Sequence, residues 1–283
     1  MEIIMKKGIN IWSFPAGSIR DSLALARDAG FEGVELALNG EGELSMESSD
    51  KEIKEIRKTA EDMGLALYSL SSGLCWELRL SDDDKVMRER AKDMIKRQLE
   101  CAKLIGADTI LVVPGAVNVS FSHPEKKVAY DVVYERALEG LSELEPYARS
   151  LGVSIGLENV WNKFLISPME MRDFIDKLGS EYIGSYLDIG NTLYCSYPED
   201  WIRILGNRIK KVHFKDYRIE AGGLHGFVDL LAGDVDYPEV VKALGEIGYD
   251  GWVSAEMIPN YKHHTEAIIY NTSFAMDKIL GRK

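Results

Sequence analysis

Short apolar runs alternate along the chain with stretches that have the periodicity of amphipathic helices. Several helical stretches end in glycine shortly before the next apolar run, as in ARDAG at 26–30 before GVELAL and AKLIG at 102–106 before TILVVPG. A left-handed residue commonly ends a helix, and glycine adopts that conformation without a Cβ penalty. The apolar runs that follow are typical of strands buried on both faces of a parallel sheet.

Eight apolar runs are predicted to be strands, near 7–12, 33–38, 65–70, 109–113, 153–158, 183–188, 209–214 and 252–256. Helices are predicted near 18–29, 51–63, 84–105, 127–150, 168–178, 199–206, 237–247 and 262–280. Strict alternation implies parallel strands joined by right-handed crossovers, and eight such units close naturally into a barrel. An open doubly wound sheet is the alternative, but the segment SFPAGS after the first strand lacks its glycine-rich phosphate turn. The sequence therefore predicts a (β/α)8 TIM barrel, an α/β fold, as a single domain over 1–283.

Composition and charge narrow the classes of function. The formal net charge of −12 argues against a nucleic-acid surface, which needs a concentrated basic field. We expect no membrane partner, because no stretch approaches the roughly 20 apolar residues that span a bilayer. The start MEIIMKKGINIW lacks the features of a signal peptide, and three scattered cysteines do not form a disulfide framework. A cytoplasmic location is therefore expected.

The last four predicted strands end in chemically active residues. Strand five ends in Glu158, strand six in Asp188 and strand eight in Glu256, while His213 lies near the end of strand seven. The carboxyl ends of barrel strands converge on one rim, where the active sites of this fold lie. We therefore expect these four side chains to lie close together.

Three carboxylates on one rim place three negative charges close together. Unpaired carboxylates repel one another and are pushed towards protonation, and a divalent cation removes that repulsion. Oxygen-rich ligation with one imidazole suits Mn²⁺ best, with Mg²⁺ or Co²⁺ as alternatives, and the lack of thiolates argues against structural zinc. The prediction is a divalent-metal site formed by Glu158, Asp188, His213 and Glu256, with no organic cofactor.

The motifs LEN, LDIGN, VHFKD and SAEM carry these four residues in the order Glu, Asp, His, Glu. In this the chain resembles the sugar phosphate isomerase/epimerase family of xylose isomerase-like TIM barrels. That family includes ketose 3-epimerases, L-ribulose-5-phosphate 3-epimerases and hexulose-6-phosphate isomerase-like enzymes. The resemblance covers essentially the whole chain. It implies that the four residues bind metal, that Glu158 and Glu256 are the catalytic acid/base pair, and that the enzyme is a homodimer or homotetramer.

Such a site suits removal of the proton next to a carbonyl. One glutamate would remove the C3 proton of a ketose or ketose phosphate, and the other would return a proton from the opposite face. A chelated metal would stabilise the intervening enediolate, while Asp188 and His213 would only hold the ion. The function predicted is metal-dependent 3-epimerisation of a ketose or ketose phosphate.

Seven further residues are candidates for substrate contact. Trp12, Trp76 and Trp161 could form an apolar wall, while Lys215, Arg218 and His225 could bind anionic or hydroxyl oxygens. Asn191 stands three residues after Asp188, where some free-ketose epimerases have a histidine, and it favours the sugar-phosphate members of the family. The polar stretches 39–50 and 217–236 are candidate lid loops.

Other functions fit the same site. An aldose–ketose isomerase, a hydroxypyruvate isomerase or an inosose dehydratase would use the same proton abstraction. A DNA-repair endonuclease of the same barrel type is disfavoured by the five histidines and the negative charge. A non-catalytic sugar-binding subunit is disfavoured because both candidate catalytic carboxylates are present.

Overall fold

A computed structural model describes residues 5–282, so the predicted domain limits, 1 and 283, lie outside the described residues. The barrel strands β1–β8 are Lys6–Asn10, Gly33–Leu38, Ala66–Ser72, Thr109–Val112, Ser154–Glu158, Ile183–Asp188, Ile209–Phe214 and Trp252–Ala255. The main helices α1–α8 are Ile19–Asp28, Asp50–Asp62, Lys85–Ile105, Tyr130–Leu151, Pro168–Leu178, Pro198–Leu205, Tyr237–Glu246 and Ala267–Ile279.

The eight strands form one closed barrel in which β1 pairs with both β2 and β8. Gly8 of β1 lies opposite Gly33 of β2, and Lys6 lies opposite Trp252 of β8, in parallel pairing. Each strand is followed by a helix that covers the outside of the barrel. The predicted (β/α)8 TIM barrel is confirmed.

The helix ends follow the glycine pattern of the sequence. Gly106 after α3 has φ of 86° and Gly152 after α4 has φ of 66°, and both amides donate to carbonyls of the preceding turn. Side chains with a Cβ rarely adopt this left-handed conformation. These glycines turn the chain from the helix layer into the next strand.

The barrel interior contains a polar network rather than an apolar core. Tyr68 of β3 and Ser254 of β8 share a hydrogen bond of 2.5 Å between their hydroxyls, both side chains being buried. Tyr186 of β6 donates to Glu35 of β2 from the other side of the barrel. The apolar core lies instead between the strands and the helices. The interior therefore offers hydrogen-bond partners to side chains at the carboxyl ends of the strands.

The structure corrects the start of the last helix, which begins at Ala267 rather than near 262. The segment before it is made of bends and a turn, and within it the Asn260 side chain donates to the Phe14 carbonyl at 3.0 Å. A helical turn at Ile189–Thr192 and a short antiparallel pair, Asp216–Tyr217 with Phe227–Val228, are additional elements. Among the described residues, no helix is long and apolar enough to span a membrane.

Candidate active site

The four strand-end residues meet at the carboxyl end of the barrel. One donor atom from each of Glu158, Asp188, His213 and Glu256 lies within 4.8 Å of the others. Strand pairing explains the convergence, because Asp188 of β6 lies opposite His213 of β7 in the parallel register. All four side chains are buried.

His213 lies at the centre of this cluster. Its Nδ1 atom is 3.7 Å from Glu158 Oε1, 3.8 Å from Glu256 Oε2 and 4.0 Å from Asp188 Oδ2. These distances exceed ordinary hydrogen-bond lengths, so the imidazole nitrogen faces a space shared by three carboxylates.

Buried polar atoms without hydrogen bonds mark the same space. Within the described part of the chain, His213 Nδ1 is buried and lacks a hydrogen-bond partner, while Asp188 Oδ2 and Glu256 Oε2 are buried with only the Lys215 ammonium beside them. Buried polar atoms are normally paired, because leaving one unpaired costs about 1–3 kcal/mol. Carboxylate oxygens with one imidazole nitrogen are suitable ligands for a divalent cation. The cluster therefore fits a divalent metal site.

Lys215 brings a positive charge to the edge of the cluster. Its Nζ atom lies 3.2 Å from Asp188 Oδ2 and forms an ion pair with Glu256. Three carboxylates and one ammonium leave two negative charges when all are ionised, which a divalent cation would balance. This charge count supports the fit of such a cation.

Burial and neighbouring charges shift the titration of these groups. Burial, opposed by His213 and aided by the charge of Glu256, raises the pKa of Glu158 to about 7. Burial also raises the pKa of Asp188. Burial alone would raise the pKa of Glu256 as well, but the charge of Lys215 lowers it below its ordinary value. The two glutamates therefore occupy electrostatically different surroundings.

Glu35 is a site residue that sequence reasoning missed. It lies on β2 inside the barrel, fully buried, and accepts hydrogen bonds from Asn10 at 2.5 Å and from Tyr186. His213 Nε2 lies 3.1 Å from Glu35 Oε1, on the side of the imidazole opposite the cluster. The signal available in the sequence was a single carboxylate inside the apolar run GVELAL.

A cavity of about 520 Å³ opens above the cluster. Glu158 and Glu256 line it, together with six of the residues predicted to contact substrate: Trp12, Trp76, Trp161, Asn191, Lys215 and His225. Arg218 is not brought to the cavity, because its guanidinium donates to the Ala232 carbonyl at 2.6 Å. Further lining residues that sequence reasoning missed include Phe121, Leu224, Phe227 and Ile258.

The two candidate lid loops differ in their relation to the cavity. Segment 217–236 contributes Leu224, His225 and Phe227 to the lining, whereas no residue of 39–50 does so. Asp216 anchors the longer loop by accepting hydrogen bonds from several of its backbone amides, including those of Leu231 at 2.9 Å and Gly233 at 3.1 Å. Only the longer loop is therefore positioned to cover a substrate.

The closed parallel barrel and the carboxylate–histidine cluster at its strand ends give this protein the features of a TIM barrel with a metal site. The chain belongs to the xylose isomerase-like TIM barrel family, whose model matches residues 23–271. The family predicted from the strand-end motifs is therefore confirmed.

Named relatives place the chain among isomerases. It is 26% identical over 257 residues to a D-psicose 3-epimerase of Agrobacterium fabrum, covering 87% of this chain and 80% of the relative. It is also 26% identical over 255 residues to a ketose 3-epimerase of Arthrobacter globiformis, with the same two coverages. These relatives confirm the prediction of an enzyme of the isomerase class.

Solved structures share the fold across nearly the whole chain. A crystal structure of the IOLI protein with a binding zinc atom matches with a TM-score of 0.80 at 17% identity, covering 98% of each chain. At this identity the likeness concerns the fold, and the bound zinc belongs to that protein.

Proposed function

We propose that this protein is a divalent-metal-dependent 3-epimerase of a keto-sugar. The observation that carries the proposal is the pair of glutamates, Glu158 and Glu256, which line the cavity and belong to the four-residue cluster beneath it. Proton abstraction next to a carbonyl needs a base at the carbon and a means of stabilising negative charge on the oxygen. The two glutamates are candidates for the base, and the cluster that fits a divalent cation would provide the charge stabilisation.

The positions of the two glutamates in the barrel support a two-base reaction. Glu158 ends β5 and Glu256 follows β8, and these strands are three apart in the ring of eight. The two carboxylates therefore approach the cavity floor from well-separated directions. One would remove the C3 proton and become a carboxylic acid. The other would donate its proton to the opposite face of C3, which inverts that carbon.

Four side chains would hold the metal ion. Asp188 and His213 are fully buried and would serve only as ligands, whereas Glu158 and Glu256 would combine ligation with proton transfer. When bound, a divalent cation supplies Lewis-acid stabilisation of the negative charge that develops on the substrate oxygen. The donor set of three carboxylates and one imidazole suits Mn²⁺, and we propose it as the native metal.

Lys215 and Asn191 would orient the substrate. Lys215 Nζ lines the cavity beside Asp188 and Glu256, so it can donate to a substrate oxygen that lies close to the reacting carbon. The Asn191 side chain also lines the cavity, and its amide nitrogen donates to the Asn159 carbonyl at 3.0 Å. That bond fixes the side chain and directs its amide oxygen as an acceptor for a hydroxyl.

Proton exchange into deuterated water tests the proposal. The metal-loaded enzyme is incubated in D2O with a panel of ketoses and their phosphates, and carbon-bound protons are followed by NMR. We expect deuterium uptake at C3 that stops when the metal is chelated and resumes when Mn²⁺ is restored. Uptake confined to C1 or C2 would instead identify an aldose–ketose isomerase. A folded, metal-loaded protein that exchanges no proton of any substrate would overturn the proposal.

A further inference from the structure

The cavity has a polar floor and an apolar mouth. Its charged groups lie at the cluster, whereas three of its apolar lining residues are partly exposed to solvent: Phe121 at 44%, Leu224 at 43% and Ile258 at 44%. Large apolar side chains exposed in a concave site mark a surface that a ligand covers. A sugar ring over the cluster would leave part of this apolar surface uncovered.

Aromatic pairs form the walls of the mouth. Trp76 and Phe121, from the loops after β3 and β4, pack edge to face with ring centroids 5.0 Å apart. Arg79 ties these loops together, because its guanidinium group donates to the Trp76 carbonyl at 3.0 Å and to the Ser122 carbonyl at 3.1 Å. This wall is therefore held in place before any substrate binds.

A second aromatic wall comes from the loops after β5, β6 and β7. The rings of Trp161 and Phe227 have centroids 5.0 Å apart, and Tyr194 packs on Trp161 at 4.8 Å. Both Trp161 and Phe227 line the cavity. The volume of about 520 Å³ lies within the range of roughly 300–1,000 Å³ that is typical of pockets for drug-sized ligands.

Among the described residues, the cavity offers few cationic groups for a phosphate, with His225 and Lys215 as the candidates. Phosphate is usually bound by the forked guanidinium of arginine, by free lysines or by exposed backbone amides at helix starts. Among the described residues that line the cavity there is no arginine, and the one lysine, Lys215, is paired with Asp188 and Glu256. These features disfavour a sugar phosphate.

We propose that the substrate is an unphosphorylated keto-sugar carrying an uncharged aromatic or other apolar substituent, which lies between the two aromatic walls. This inference rests on the proposed function, since the keto-sugar carbons must sit over Glu158 and Glu256. The substituent extends from the sugar toward Phe121, Leu224 and Ile258 at the mouth. Its burial supplies binding energy that a free ketose does not offer.

The experiment compares matched substrates on the metal-loaded enzyme. For the free ketohexose with the fastest C3 exchange, kcat/KM is measured beside its 6-phosphate and its 1-O-benzyl and 6-O-benzyl ethers. We expect one of the benzyl ethers to exceed the free sugar by about tenfold to a hundredfold, the factor that burial of a phenyl-sized group provides. The 6-phosphate should not exceed the free sugar.

Two variants locate the effect. Phe121→Ala should reduce the ratio of kcat/KM for the preferred benzyl ether to kcat/KM for the free sugar. Phe274→Ala is the matched control, because Phe274 is exposed on α8 and does not line the cavity, so the ratio should stay unchanged. An unchanged ratio in Phe121→Ala would overturn the inference.

The remaining outcomes separate this inference from the function on which it rests. C3 exchange of the free sugar without any gain from either benzyl ether overturns the inference and leaves the epimerase proposal standing. If the 6-phosphate is the best substrate, the inference is likewise overturned and the epimerase proposal stands. Absence of C3 exchange with every compound overturns the epimerase proposal, and the inference with it.

Discussion

Glu35 Oε1 lies 3.1 Å from His213 Nε2 in the closed interior of the barrel, and both side chains are fully buried. A carboxylate at one imidazole nitrogen selects the tautomer that carries its proton there, which leaves the other nitrogen free to bind a metal. Glu35 is itself fixed by Asn10 and Tyr186. We infer that Glu35 positions His213 for metal binding.

Replacing Glu35 by Gln should weaken metal binding. The neutral amide keeps the shape of the side chain but loses the negative charge. Its single oxygen can accept a hydrogen bond from Asn10 or from Tyr186, but its NH2 group cannot accept the other one. We expect the dissociation constant for Mn²⁺ to rise about tenfold to a hundredfold, measured by titration calorimetry.

Tyr68→Phe is the control for Glu35→Gln, because it removes the hydrogen bond to Ser254, another buried pair inside the barrel. It should lower the melting temperature and change the Mn²⁺ dissociation constant less than twofold. An unchanged metal affinity in folded Glu35→Gln would refute the positioning role.

Metal binding should stabilise the fold. A ligand that binds only the native state stabilises it by about 2.7 kcal/mol at a hundredfold excess over its dissociation constant. We expect Mn²⁺ to raise the melting temperature of the chelator-treated protein by several degrees in differential scanning fluorimetry. In Asp188→Asn, which removes a buried ligand charge, this shift should be largely lost. An equal shift in the variant would show that Mn²⁺ binds elsewhere.

Glu158→Gln and Glu256→Gln should each abolish turnover while the protein stays folded. Each change removes a proton-transfer group, and such groups contribute about a hundredfold to ten-thousandfold to the rate. Activity is measured as C3 exchange, and folding by circular dichroism. Glu266→Gln, at an exposed glutamate outside the cluster, should retain full activity. Near-normal exchange in either site variant would exclude the two-base mechanism.

Asp216→Ala should destabilise the loop that covers the cavity. The carboxylate accepts hydrogen bonds from the backbone amides of Tyr217, Leu231, Gly233 and Val235. Removing it leaves partly buried donors unpaired, and we expect a loss of about 3 kcal/mol in the free energy of unfolding, measured with urea. Glu220→Ala, in the same loop, is the control and should cost less than about 0.5 kcal/mol. Equal stability of the two variants would contradict the anchoring role of Asp216.

Much of the fold could be predicted from local pattern. The order of strands and helices follows from apolar runs and from glycines such as Gly106 and Gly152, whose left-handed conformation ends a helix wherever it occurs. The last helix begins later than the local pattern predicts, and the segment before it contains Asn260, which donates to the Phe14 carbonyl 246 residues away. Local sequence propensity does not predict such a long-range contact.

The sequence by itself determined the four strand-end residues, because parallel strands of a closed barrel bring their carboxyl ends to one rim. Only the tertiary structure decided that Glu35 joins them, since the bond from β2 to His213 crosses the barrel interior. It also decided that Arg218 turns away to a loop carbonyl and that Phe121 enters the cavity wall. Strand ends follow from periodicity and topology, whereas cross-barrel pairs and loop paths depend on packing between residues distant in the chain.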